Sequence, residues 1–156
     1  MCDGRNRALR IEEDKQHLTA TERAVELVQI AAAAAADKLA TDIIAYDVSD
    51  QLVITDAFLL CSASNDRQVR AIVDEIEDKL RRVEAKPVRR EGEREGRWVL
   101  LDYLDVVIHV QHAEERVFYA LERLWKDCPV IPLPEPAIAG GPRRPGSAGS
   151  PGQGPR

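Results

Sequence analysis

Between Val69 and Val83 the branched apolar residues recur at i, i+3, i+4, i+7, i+11 and i+14, as Val69, Ile72, Val73, Ile76, Leu80 and Val83, with charged residues filling most of the gaps. That spacing draws a single stripe along an α-helix, and a helix with one apolar stripe needs an apolar surface to lie on. The surface is written on both sides of it. Segments rich in branched and aromatic residues, D-I-I-A-Y-D-V from Asp42 and L-V-I-T-D-A-F-L-L-C from Leu52, precede it, while W-V-L-L-D-Y from Trp98 and V-V-I-H-V-Q from Val106 follow it. Such runs read as strands. A helix laid on a sheet is therefore the expectation.

The rest of the body follows from local signals. Thr19-Ala20-Thr21-Glu22 has the S/T-x-x-E form of a capping box, so a first helix is expected from there to about residue 39, with Val25, Val28, Ala32, Ala35 and Leu39 on one face. The alanines from Ala31 to Ala36 favour helix and allow close packing. Ser49-Asp50-Gln51 separates the first two strands as a turn, which predicts a hairpin. Asn65 or Asp66 caps the striped helix and Pro87 ends it. A short strand near Val88 leads into the turn E-G-E-R-E-G, strands follow over residues 98–103 and 106–111, and a last helix over 113–126 places Val117, Leu121, Leu124 and Trp125 inward before Cys128-Pro129 stops it. The order α-β-β-α-β-β-β-α predicts an α/β fold, a mixed sheet of about five strands packed with helices in two or three layers.

The chain has 156 residues, 44% of them apolar, which suits one domain with one core. That domain is expected over residues 19–134. Residues 1–18 are charged without clear periodicity and read as a flexible arm. Residues 135–156 read as a disordered tail, since Gly and Pro make up 10 of the last 20 residues. No apolar run is long enough for a membrane span and the start lacks a secretory layout, so a cytoplasmic protein is expected. The three cysteines, Cys2, Cys61 and Cys128, share no close spacing and predict neither a disulfide framework nor, with three histidines, a zinc site. Cys61 is most simply a core residue. Net charge is −5, but residues 1–135 hold 19 basic against 27 acidic groups, which is −8. That balance carries no footprint for nucleic acid and favours a basic protein partner.

One stretch mixes carboxylates and a histidine into apolar sequence: W-V-L-L-D-Y-L-D-V-V-I-H-V, from Trp98 to Val110. Asp102, Asp105 and His109, helped by Asp56, would be the start of a magnesium-dependent nucleotidyl- or phosphotransferase site. That chemistry ordinarily uses two acids at i and i+2, which a strand places on one face. Here the acids stand three apart and would face opposite sides of one strand, although a turn at Tyr103-Leu104 would make them neighbours at a hairpin end. No glycine-rich phosphate loop occurs before the striped helix, and no cofactor or metal is called for. In the plainer reading His109 satisfies a local hydrogen bond, Asp105 caps a turn and Asp56 ends strand pairing. Trp98 beside E-R-E-G-R suits an interface anchor, and core packing explains it equally well.

In order and spacing, the segments from Asp42, from Ile54 (I-T-D-A-F-L-L-C-S-A-S), from Arg67 (R-Q-V-R-A-I), from Glu91 through Val110, and from Arg116 (R-V-F-Y-A-L-E-R-L-W) resemble the ribosomal silencing factor family, also called Iojap-like, across roughly residues 22–128. The resemblance implies a nucleotidyltransferase-like fold without that superfamily's catalytic acids, hence no enzyme. It implies binding to the large ribosomal subunit through ribosomal protein uL14, which blocks joining of the small subunit and represses translation when nutrients are scarce. The partner-binding positions it implies are Trp98, Asp102, Tyr103 and Asp105, with His109 as a neighbour, and it implies a possible homodimer when the protein is free. This sequence departs from the family in having Leu104 where a glycine is usual and Arg67-Gln68 where Arg-His is usual.

Overall fold

The computed structural model describes residues 19–134; the arm expected over 1–18 and the tail expected over 135–156 lie outside the described residues. The first helix, α1, runs Glu22–Asp37 and is capped by Thr21, whose hydroxyl accepts from Ala24 N–H at 3.1 Å. The capping box expected at Thr19 is thus displaced by two residues. Thr19 and Ala20 are bonded backward instead: the Ala20 amide donates to Asp47 Oδ2 at 2.9 Å and the Thr19 hydroxyl meets Ser49 and Asp50. Helix α1 buries Leu27, Val28 and five of its alanines. Leu39, expected on that face, lies past the helix end at φ 65° and is 77% exposed.

Strands β1 (Thr41–Asp47) and β2 (Ala57–Ala63) pair antiparallel, but not as the tight hairpin expected. Residues 48–56 form a closed loop in which Gln51 and Leu52 amides return to Val48 O and the Val48 amide reaches Asp56 O. Val53 and Ile54, read as strand, are exposed within it. Helix α2 (Asp66–Arg81) begins at Asn65, whose Oδ1 accepts from Gln68 N–H at 2.8 Å, and buries Val69, Ile72, Val73, Ile76 and Leu80. It ends well before Pro87, because Glu84 turns the chain at φ 65°. Strands β3 (Arg89–Glu91), β4 (Trp98–Asp102) and β5 (Val106–His112) complete a five-stranded sheet of order β1-β2-β5-β4-β3. Only the central β2–β5 pair is parallel.

The last helix is shorter than expected. Helix α3 covers Ala113–Tyr119, Ala120 breaks it in the left-handed region at φ 46°, and a 3₁₀ turn follows over Leu121–Arg123. Val117 and Leu124, expected inward, are 80% and 70% exposed, while Leu121 and Trp125 pack on the sheet.

Strand alternation sends Leu59, Cys61, Leu101, Ile108 and Val110 to one face, against α1 and α2, where the main core lies. Cys61 is fully buried there, and burial pushes its thiol up to about 12. A second, smaller cluster of Tyr46, Val48, Leu60 and Cys128 sits on the other face, packed by Ile44, Phe58, Leu121 and Trp125. The C-terminal segment is tied there by the amide of Ile131 to Ala45 O and of Asp47 to Pro129 O. The sheet is thus covered by helices on one face and only partly on the other. No described helix is long and apolar enough to cross a membrane.

Candidate partner-binding face

The register assigns each side chain of the less covered face to a row across the strands. Phe58, Val107, Asp102 and Arg89 lie in one row; Leu60, His109, Leu100 and Glu91 in the next; Ser62, Gln111 and Trp98 in the third. Phe58, Val107, Leu100, Trp98 and Asp102 are each only half-buried. Aromatic rings run across this face. Trp125 meets Phe58 edge-on at 4.9 Å between centroids, Phe58 meets His109 at 5.2 Å, and His109 meets Trp98 at 6.0 Å. Large rings held at such spacings present a broad, rigid apolar area with little conformational entropy left to lose.

Trp98 is placed by the turn before it. Gly92 has φ 84°, and a Cβ there would fall 2.0 Å from Trp98 O, so only glycine lets the E-G-E-R-E-G turn close against the start of β4. The Trp98 indole N–H then donates to His109 Nδ1 at 3.1 Å. Accepting at Nδ1 fixes the neutral tautomer with its proton on Nε2, an atom buried without a partner of its own. Burial, and after it the Arg116 guanidinium, lower the His109 pKa to about 4. The plainer reading of His109, a neutral ring satisfying a local hydrogen bond, describes its geometry.

The two acids flank the hairpin end, across a turn one residue later than considered. Tyr103 N–H bonds Val106 O at 2.8 Å, leaving Leu104-Asp105 as the two-residue loop. Leu104 takes φ 70°, a conformation that L side chains adopt at a cost of roughly 1–2 kcal/mol. Asp102, not Asp105, caps this turn: its Oδ1 accepts from Leu104 N–H at 2.8 Å while Oδ2 stands 3.6 Å from Arg89. Asp105 leaves its carboxylate exposed and uses its carbonyl, which accepts from Asp56 and Ala57 amides. Asp56 serves structure, accepting from Thr21 N–H at 3.0 Å. Tyr103 points to the opposite face, into the main core, and is 6% exposed; burial, then Glu77, raise its hydroxyl to about 12.

Of the five positions singled out from sequence, Trp98, Asp102 and His109 therefore share one face, Asp105 projects at its end, and Tyr103 buttresses it from behind. Among the described residues no three His, Cys, Asp or Glu side chains gather as metal ligands do. Two groups escaped the sequence reading. Phe58 joins the ring row, a placement that alternation along β2 would have shown once its pairing with β5 was known. Arg116 is buried and holds Ser62 Oγ and Glu122 at 2.9 Å each, securing α3 to the sheet; nothing in R-V-F-Y signals this.

The chain matches the family model described as ribosomal silencing factor during starvation over residues 21–150. It is also 45% identical over 107 residues to ribosomal silencing factor RsfS of Bacillus subtilis (strain 168), an alignment covering 69% of this chain and 91% of that protein. The chain belongs to the ribosomal silencing factor family. Within that family, the chloroplastic protein Iojap of Zea mays is 31% identical over 103 residues, which span 66% of this chain and 45% of Iojap. A crystal structure of a Chromobacterium violaceum protein superposes with a TM-score of 0.63 at 33% identity, covering 65% of this chain and 84% of that one. One from Bacillus halodurans gives 0.61 at 38% identity, covering 69% and 98%. The silencing-factor domain thus accounts for the sheet and the helices that position the ring row.

Proposed function

We propose that this chain represses translation in the cytoplasm by binding the large ribosomal subunit through uL14 and occupying the surface on which the small subunit would dock, as the family description's reference to starvation suggests, under nutrient limitation. The observation that carries the reading is the part-covered sheet face, with its row of rings and an exposed carboxylate at one end. A rigid aromatic area flanked by acids suits a basic protein surface: the rings supply desolvated contact, and the −8 charge of residues 1–135 steers the encounter. Action is by occupancy, with no chemical step. Asp102, the acid a nucleotidyl- or phosphotransferase would need, is already engaged by the Leu104 amide and Arg89.

Trp98 and Asp105 make the direct contacts on this reading, Asp102 holds the turn, and His109 and Tyr103 support them from beneath. A homodimer of the free chain, on the same reading, would close over the ring row rather than over the carboxylates at its end. Co-sedimentation with purified large subunits tests the assignment. Trp98→Ala and Asp105→Lys are expected to lose binding while keeping the wild-type circular dichroism. Normal binding by both would remove the interface from this face.

A further inference from the structure

At the end of the sheet where β4 turns into β5, four large aliphatic side chains are exposed: Val53 at 100%, Ile54 at 82%, Val88 at 59% and Leu104 at 58%. They come from three separate segments that the backbone ties together there. Asp105 O receives the Asp56 and Ala57 amides from the 48–56 loop, and Asp102 O receives the Val88 amide. The loop carrying Val53 and Ile54 is closed at its base by the carboxylate of Asp47, which accepts from Ala20 and Ser49, and by the Val48 to Asp56 bond. Leu104 is held at φ 70° although glycine would sit there without strain. Leu39, past the end of α1, shares this combination of positive φ and exposure, so the strain at Leu104 counts here only together with its exposed neighbours.

Accepting the ribosomal reading above, we infer that this end of the sheet is an apolar extension of the docking surface, with Leu104 and Ile54 as its contacts, and that its occupant is the same basic protein partner. Charge decides the occupant. Asp50 and Asp105 are exposed and Asp56 and Asp102 half-exposed around the aliphatic residues, against two exposed cations beside Val88, Lys86 and Arg89, of which Arg89 already pairs with Asp102, so the acids remain in excess. A second copy of this chain meeting it across a two-fold axis would set these carboxylates against their own images. An anionic lipid surface or a phosphate backbone would meet the same repulsion. A basic protein surface gains on both counts, because the acids complement it while the aliphatic groups lose water at the centre of the contact.

The measurement is the dissociation constant for purified large ribosomal subunits, read by co-sedimentation, for the full chain, Leu104→Gly, Ile54→Ser and Trp98→Ala. Leu104→Gly and Ile54→Ser are each expected to weaken binding about tenfold or more without lowering the melting temperature. Wild-type affinity in both, with Trp98→Ala defective, overturns the extension and leaves the ribosomal reading standing. A wild-type chain that does not sediment with large subunits overturns both. Sedimentation velocity of the free chain supplies a further arm: a dimer that Leu104→Gly dissolves, with subunit binding unchanged, would give this surface to a second copy.

Discussion

Leu104 and His109 each place a distinct physical constraint on the candidate face. Replacing Leu104 by glycine relieves roughly 1–2 kcal/mol of left-handed strain and adds about 0.5–1 kcal/mol of chain entropy to lose. Leu104→Gly should therefore be as stable as the wild type or more so, by up to about 1.5 kcal/mol, in urea denaturation. A clear loss of stability would mean the leucine packs within the fold. For His109 the unfolded chain takes up its proton near 6.5 and the folded chain only near 4. Its contribution is whole above about pH 6.5 and disappears as the pH falls towards 4, amounting to about 3 kcal/mol at most. The wild type should lose more stability than His109→Gln between pH 7 and pH 4.5; equal losses would place the ring in water. At this scale the sequence was partly legible. The three-residue spacing of Asp102 and Asp105 already argued against a strand-borne metal pair, and alternation set His109 apart from Val106, Ile108 and Val110. Asp102 caps the turn through a local bond to the amide two residues on, but where the turn falls, and so which acid can do this, depends on where the pairing of β4 with β5 ends.

Elements show where local rules suffice and where they are overruled. Thr21→Ala should cost about 1 kcal/mol, since its hydroxyl caps α1, while Thr19→Ala should cost less. The reverse order, measured by thermal melts, would restore the capping box read from T-A-T-E. Both threonines satisfy the sequence rule; Asp47, distant in the chain, decides between them by drawing Ala20 backward. Helix α2 was legible from its stripe, and Ile76→Ala, at a fully buried position, should cost about 2–5 kcal/mol. The last helix was not. Its apolar positions continue past Tyr119, but Ala120 turns left-handed and Arg116 is drawn inward by Ser62, so Val117 and Leu124 swing to solvent. The strand expected from Leu52 failed similarly, because the 48–56 segment closes on itself and β2 starts only where β5 offers a partner.

For the whole molecule, what matters is the asymmetry of the sheet. Two helices bury nearly all of one face, its edge at Arg90 excepted, and the C-terminal segment covers the other only in part, leaving rings and carboxylates on a rigid platform. An α/β domain with a mixed five-stranded sheet was legible in the order of its elements. The incomplete second layer was not, since it depends on where a broken helix lies. On the proposed function, that asymmetry lets the domain act by covering a ribosomal surface. The direct measurement is sedimentation of purified small and large subunits, mixed under joining conditions, with increasing amounts of this protein. Joined ribosomes are expected to decline as the protein saturates the large subunit, and Asp105→Lys is expected to leave them intact. Undiminished joining at saturating wild-type protein would contradict the proposed function.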